Sequence, residues 1–145
     1  MASVKAKAAV LWIAGTLSLS MGAFHFWLPA LFGWHQGMAN APTSLQWALQ
    51  SLNFFWSLLT ALAGLLVVLL ARRGAWREGV GRITLLVLGT YWAGHAAYLV
   101  LRPFPLPAGL GWLGRCFVAF AIAQMVLHAW PALVPTKDPV VDRAI

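Results

Sequence analysis

Acidic residues are nearly absent: Glu78, Asp138 and Asp142 are the only three in 145 residues. None falls inside a long apolar run. That excludes a carboxylate proton relay, a paired-acid active site and a carboxylate-ligated di-metal centre, all of which need acids within the membrane. Cysteine is as scarce. Cys116 stands alone, so there is no internal disulfide and no thiolate metal cage. Charged residues of either sign make up 9% of the chain, against roughly 25% in a soluble domain. Most of the surface must face something other than water, and lipid is the economical medium.

The charge that is present is basic: ten Lys and Arg give a net +7. In a soluble protein this would raise nucleic acid as a partner. Here the cations sit in short clusters between apolar runs, the pattern by which membrane proteins orient themselves, so nucleic acid is not expected. The apolar runs cover about 8–28, 45–71, 83–101 and 110–130. Each is long enough to cross a hydrocarbon core of about 30 Å at 1.5 Å per residue. The expected fold is all-α, a four-transmembrane-helix bundle forming one domain over 1–145. The first run has the basic flank of a signal peptide in Lys5 and Lys7. It continues through Phe24, Phe26 and Trp27 without a small-residue cleavage site, and it reads as a retained helix.

The breaks are marked by proline and glycine. Pro29 and Gly33 are expected to end the first helix, Ser44 to cap the second and Gly74 to terminate it. The Pro-rich run 102–107 separates the third helix from the fourth, and Pro131 and Pro135 are expected to end the fourth, leaving a polar tail. Lys5, Lys7, Arg72, Arg73, Arg77, Arg82, Lys137 and Arg143 then fall on one side, and Arg102 and Arg115 on the other. Eight against two places both termini in the cytoplasm, and the expected location is a bacterial inner (cytoplasmic) membrane. Trp12, Trp76 and Trp130 fall near the inner boundary, Trp27, Trp34, Trp47 and Trp112 near the outer, and Trp56 and Trp92 deep in the bundle.

Polar residues inside the membrane form stripes. Gln46, Gln50, Asn53, Ser57, Thr60 and Gly64 recur at helical spacing on the second helix, and Tyr91, His95, Tyr98 and Arg102 on the third. Gly15, Ser18, Gly22 and His25 do the same on the first, while the fourth carries Gln124 and His128. Such faces look into the bundle. Interhelical contact is their simplest use, because small residues let backbones approach and amides bond across helices. Depth suggests more. His25 lies just before the outer end of the first helix and His95 about two turns below Pro103. Gln50 and Asn53 share that level, with Arg102 and Arg115 just above.

Three ligand chemistries suit such a cluster. A b-type haem needs two neutral imidazoles, His25 and His95, with Arg102 and Arg115 for its propionates. A quinone or other small apolar ligand needs aromatic walls and a few donors, such as His95, Tyr98 and Asn53. Copper or zinc would recruit His25, His95 and His35.

The segment GAFHFWLPALFGW, residues 22–34, resembles the end of the first helix in DoxX-like membrane proteins. The likeness covers 13 of 145 residues. It implies four short transmembrane helices and a place as subunit or partner of a redox system. Where that family carries an acidic residue on its second helix, this chain has Asn53 and Ser57 in the polar stripe. The expected function is a small, non-enzymatic membrane subunit against a larger redox or energy-converting assembly. It would hold a pigment, haem, quinone or lipid in an outer-leaflet pocket, and its partners would be lipids, other membrane subunits or further copies of itself. The alternative is a free-standing b-type haem protein or small membrane oxidoreductase using His25 and His95.

The charge count generates a direct expectation. A cysteine placed at Gly37 should label from outside the cell, and one at Gly74 only after permeabilisation. The opposite pattern would reverse the orientation.

Overall fold

A computed structural model describes residues 2–103, 106 and 109–135 of the chain. Four helices are long and apolar enough to cross a membrane: α1 (Val4–Leu31), α3 (Thr43–Arg73), α4 (Gly79–Leu101) and α5 (Gly111–Leu133). Between α1 and α3 lies a single turn, α2 (Trp34–Gly37), and a 3-10 turn (Ala75–Arg77) joins α3 to α4. The polar tail and three residues of the Pro-rich run lie outside the described residues.

Two prolines behave otherwise than expected. Pro29 and Pro131 do not end their helices but lie inside α1 and α5. A proline removes one N–H and crowds the carbonyl four residues back. For Pro29 that carbonyl belongs to His25, and Asn53 on α3 donates to it from Nδ2 at 3.0 Å. A neighbouring helix thus supplies the missing donor, as a bilayer interior requires. The chain turns away only at Gly33, whose φ of 59° favours glycine. Ser44 is not the cap of α3 either: Pro42 holds that position, and no side chain bonds to the exposed amides.

The helices associate as two pairs, α1 along α3 and α4 along α5, which meet mainly through α1 and α5. Lipid tails are as apolar as leucine, so helices in a bilayer are held by close backbone approach and by hydrogen bonds. Gly15, Ser18 and Gly22 of α1 are buried, as are Ser57, Thr60 and Gly64 of α3. A Cβ added to Gly64 would stand 2.6 Å from the Leu19 nitrogen and 2.7 Å from the Gly15 oxygen. One added to Gly22 would stand 2.7 Å from the Ala61 nitrogen. The two backbones therefore touch, with no room for a methyl group.

Between the pairs, the ties are polar and lie toward one end. The side chain of Lys7, only 1% exposed, donates from Nζ to the Pro131 carbonyl at 3.1 Å and to that of Val134. Arg82 of α4 donates from Nε and Nη2 to the Ala132 carbonyl, at 3.2 and 2.9 Å. Two cations thereby satisfy carbonyls that the last turn of α5 leaves without helical partners, where the helix dipole favours positive charge. Trp76, in the turn between α3 and α4, is buried beside them, with Lys7 Nζ 5.6 Å from its ring centre. Leu11, Ala14, Val67, Leu85 and Ala132 form the apolar core at this end. One level deeper, Gln124 of α5 donates from Nε2 to the Ala14 carbonyl at 3.4 Å.

The α1–α3 seam should be intolerant of volume. Gly64→Ala is expected to lower the unfolding free energy in mild detergent by about 1–3 kcal/mol, the usual cost of overfilling a close contact. Gly94→Ala, where nothing lies within 4 Å of the new methyl, should be neutral or add up to about 1 kcal/mol. Equal effects at the two glycines would contradict the seam.

Candidate functional site: an aromatic cavity between the helix pairs

At the end away from the Lys7 ties, the helix pairs enclose a cavity of about 220 Å³. Every spanning helix contributes to its wall: His25 from α1, Trp56 from α3, Trp92 and His95 from α4, Phe117 and Phe120 from α5. His25 continues the small-residue face of α1 one turn beyond Gly22, past the last glycine contact with α3. His95 is on α4 one turn from Trp92.

The two imidazoles are held differently. His25 Nδ1 lies 2.9 Å from the Met21 carbonyl. A ring nitrogen facing a carbonyl carries the proton, which leaves Nε2 of the neutral ring as an acceptor. His95 is held by rings: Trp56 at 5.5 Å, Trp92 edge-on at 5.7 Å and Tyr91 nearly parallel at 6.5 Å. Aromatic contacts of this kind contribute about 0.5–1.5 kcal/mol each. Phe120 meets Trp92 edge-to-face at 5.6 Å and closes the wall from α5.

Beside the cavity, on the α3–α4 side, lies a shallow surface depression of about 500 Å³ bordered by Trp56, Tyr91, Gly94, His95 and Tyr98. Trp56, His95 and Tyr98 border both spaces. These three rings therefore separate the cavity from lipid on the side where α3 and α4 make least contact.

Of the residues singled out from sequence, the structure brings His25, His95 and Tyr98 to one cavity. Tyr91 stacks on His95 but borders only the outer depression. Asn53 acts one step removed, through the His25 carbonyl. Gln50 is exposed on α3 and meets no part of the cavity. Arg102 is exposed at the end of α4, and Arg115 borders a separate apolar groove between α4 and α5. His128, buried lower on α5 with Nδ1 2.7 Å from the Gln124 carbonyl, belongs to neither space. Sequence reading missed Phe117 and Phe120 altogether. A Phe at helical spacing is indistinguishable from a lipid-facing one until the neighbouring helix is placed.

This geometry does not suit a haem. The cavity falls below the ~300–1,000 Å³ usual for drug-sized ligands, and a tetrapyrrole is larger than most of those. Neither arginine expected to pair with propionates lines it. Metal binding fares no better, since His35 is exposed on α2 and no cluster of three His, Cys, Asp or Glu occurs among the described residues. No protein-family model, curated protein or solved structure matches this chain.

The Pro29–Asn53 arrangement can be isolated by a double-mutant cycle. Asn53→Leu should leave the His25 carbonyl without a donor and cost on the order of 1 kcal/mol. In a Pro29→Ala background the restored N–H can reach that carbonyl, so the same substitution should cost markedly less. Equal costs in both backgrounds would show that Asn53 has no such role.

Proposed function

We propose that this protein is a membrane-embedded binding subunit for a small planar hydrophobic ligand of the quinone-headgroup class, serving a larger redox assembly. The observation that carries this reading is the convergence of His25 and His95, from different helix pairs, on one aromatic cavity. A quinone ring is flat and apolar on both faces, with an oxygen at each end. Trp56, Trp92 and Phe120 offer it ring surfaces, and the imidazoles offer polar atoms. With Nδ1 turned to Met21, His25 keeps an acceptor for a quinol hydroxyl. His95 and the Tyr98 hydroxyl supply donors for a quinone carbonyl.

Access from the bilayer fits the same ligand class. A lipid-soluble molecule would reach the cavity between α3 and α4, past Trp56, His95 and Tyr98, and leave its tail in the outer depression. The spanning helices carry no carboxylate to take up protons, which supports holding a ligand rather than converting it. The distribution of cations supports cytoplasmic termini, and with them an outer-leaflet cavity in a bacterial inner membrane. The apolar outward faces of the helices are the surfaces left for lipids, other membrane subunits or a second copy. The DoxX-like segment at residues 22–34 supports the redox setting.

Titration with a short-tailed benzoquinone in detergent micelles tests the proposal, read through tryptophan fluorescence because Trp56 and Trp92 form the wall. Quenching should saturate. His95→Leu should weaken binding about tenfold, the worth of one buried hydrogen bond, and Gln50→Leu should change nothing. Linear, non-saturating quenching, or a His95→Leu curve identical to the original, would contradict the reading.

A further inference from the structure

An apolar groove of about 540 Å³ runs between the end of α4 and the first half of α5. Leu99, Val100 and Pro103 border it on one side, and α5 borders it from Gly111 to Ile122. It shares Leu99 and Phe117 with the aromatic cavity, but neither imidazole borders it. Its lining is apolar with one exception, Arg115. That side chain is exposed, and no hydrogen bond, ion pair or ring contact engages it among the described residues. An unpaired guanidinium on a membrane-spanning helix is costly, and an anion beside it offsets that cost. The first turn of α5 has no acidic residue to supply one.

The dimensions decide what kind of molecule fits. Ile122 is the middle residue of α5, so the groove reaches from the end of a spanning helix to its midpoint. At 1.5 Å per residue that is roughly 16 Å, about half of a hydrocarbon core of about 30 Å. Spread over that length, 540 Å³ leaves a cross-section of roughly 33 Å², a channel about 6 Å across. A helix with its side chains is about 10–12 Å across, too wide to enter. An extended hydrocarbon chain, one methylene wide, is narrow enough. Two glycines keep the channel open. A Cβ added at Gly111 would meet nothing within 4 Å, and one at Gly114 only Leu106 Cδ1 at 3.6 Å. Arg115 stands in the half of the groove nearer the helix end. Side chains on a helix lean toward its N-terminus, which here is that same end.

We infer that this groove binds a long-chain fatty acid, its carboxylate paired with Arg115 and its chain laid along α5 toward Ile122. The match is one to one. A single cation meets a single carboxylate, in the bidentate manner that a guanidinium favours, and the channel has room for a single chain. A phospholipid brings two chains, of which the groove would hold one. The site is separate from the proposed quinone cavity and stands or falls without it.

Native mass spectrometry of the full chain in detergent, with palmitic acid and its methyl ester supplied equally, tests this. The two share a chain and differ in charge. Palmitate should be retained at least tenfold in preference, the worth of one charge-assisted bond. Arg115→Gln alters an exposed side chain, so the fold should survive, and the preference should vanish. Arg115→Lys should restore part of it. Gly114→Leu fills the channel and should lower the retention of both molecules together. Equal retention of acid and ester by the unaltered chain, or an undiminished preference in Arg115→Gln, would overturn the proposal. Unchanged retention in Gly114→Leu would put the chain outside the groove and overturn it too. Phosphatidylglycerol that displaces palmitate at equal concentration, and is itself lost in Arg115→Gln, would overturn the fatty-acid assignment in favour of a phospholipid.

Discussion

Helices surrounded by hydrocarbon gain little by hiding apolar side chains from one another, so their association depends on backbone proximity and on satisfied polar groups. In this protein those two means are applied in different places. Glycine brings α1 and α3 into backbone contact along Gly15, Gly22 and Gly64. The contact between the helix pairs rests on polar ties concentrated toward the chain termini, where Lys7 and Arg82 hold the last carbonyls of α5 and Gln124 reaches α1. At the opposite end large rings enclose the cavity.

The same rule of polar satisfaction shapes the site in detail. Pro29 frees the His25 carbonyl, Asn53 takes it, and the His25 ring in turn bonds to Met21. One residue is anchored at two points, by its backbone to α3 and by its side chain to α1. His95 has no comparable tether among the described hydrogen bonds and is held by stacked and edge-on rings. One wall thus carries an imidazole tethered by hydrogen bonds and the other an imidazole held by rings.

Much of this was legible in the sequence. Four apolar runs separated by Gly, Pro and Arg marked the spanning helices, and the recurrence of Gly15, Ser18 and Gly22 on one helix and of Ser57, Thr60 and Gly64 on another marked faces that look into the bundle. Depth alone brought His25 and His95 to one level. What was not legible is tertiary. Gln50 shares the spacing of Asn53, yet it is exposed. Periodicity reports which residues share a face, not whether a neighbour covers that face at a given level. Pro29 and Pro131 read as helix ends because a proline's lost hydrogen bond is local, whereas its replacement, as at Asn53, comes from 24 residues away in sequence. Lys7 read as a flanking cation on the cytoplasmic side. Only the end of α5, folded back beside it, explains how it comes to be buried.

On the proposed function, a planar ligand sits between the two helix pairs rather than on the outside of the bundle. Photolabelling with an azido-benzoquinone, followed by mapping of the modified peptides, tests it most directly. Labels should fall on both pairs at the cavity wall, on α1 near Met21 and His25 and on α4 or α5 near His95 and Phe120. Labels confined to outward-facing residues such as Leu62 and Leu66, or to the groove beside Arg115, would contradict it.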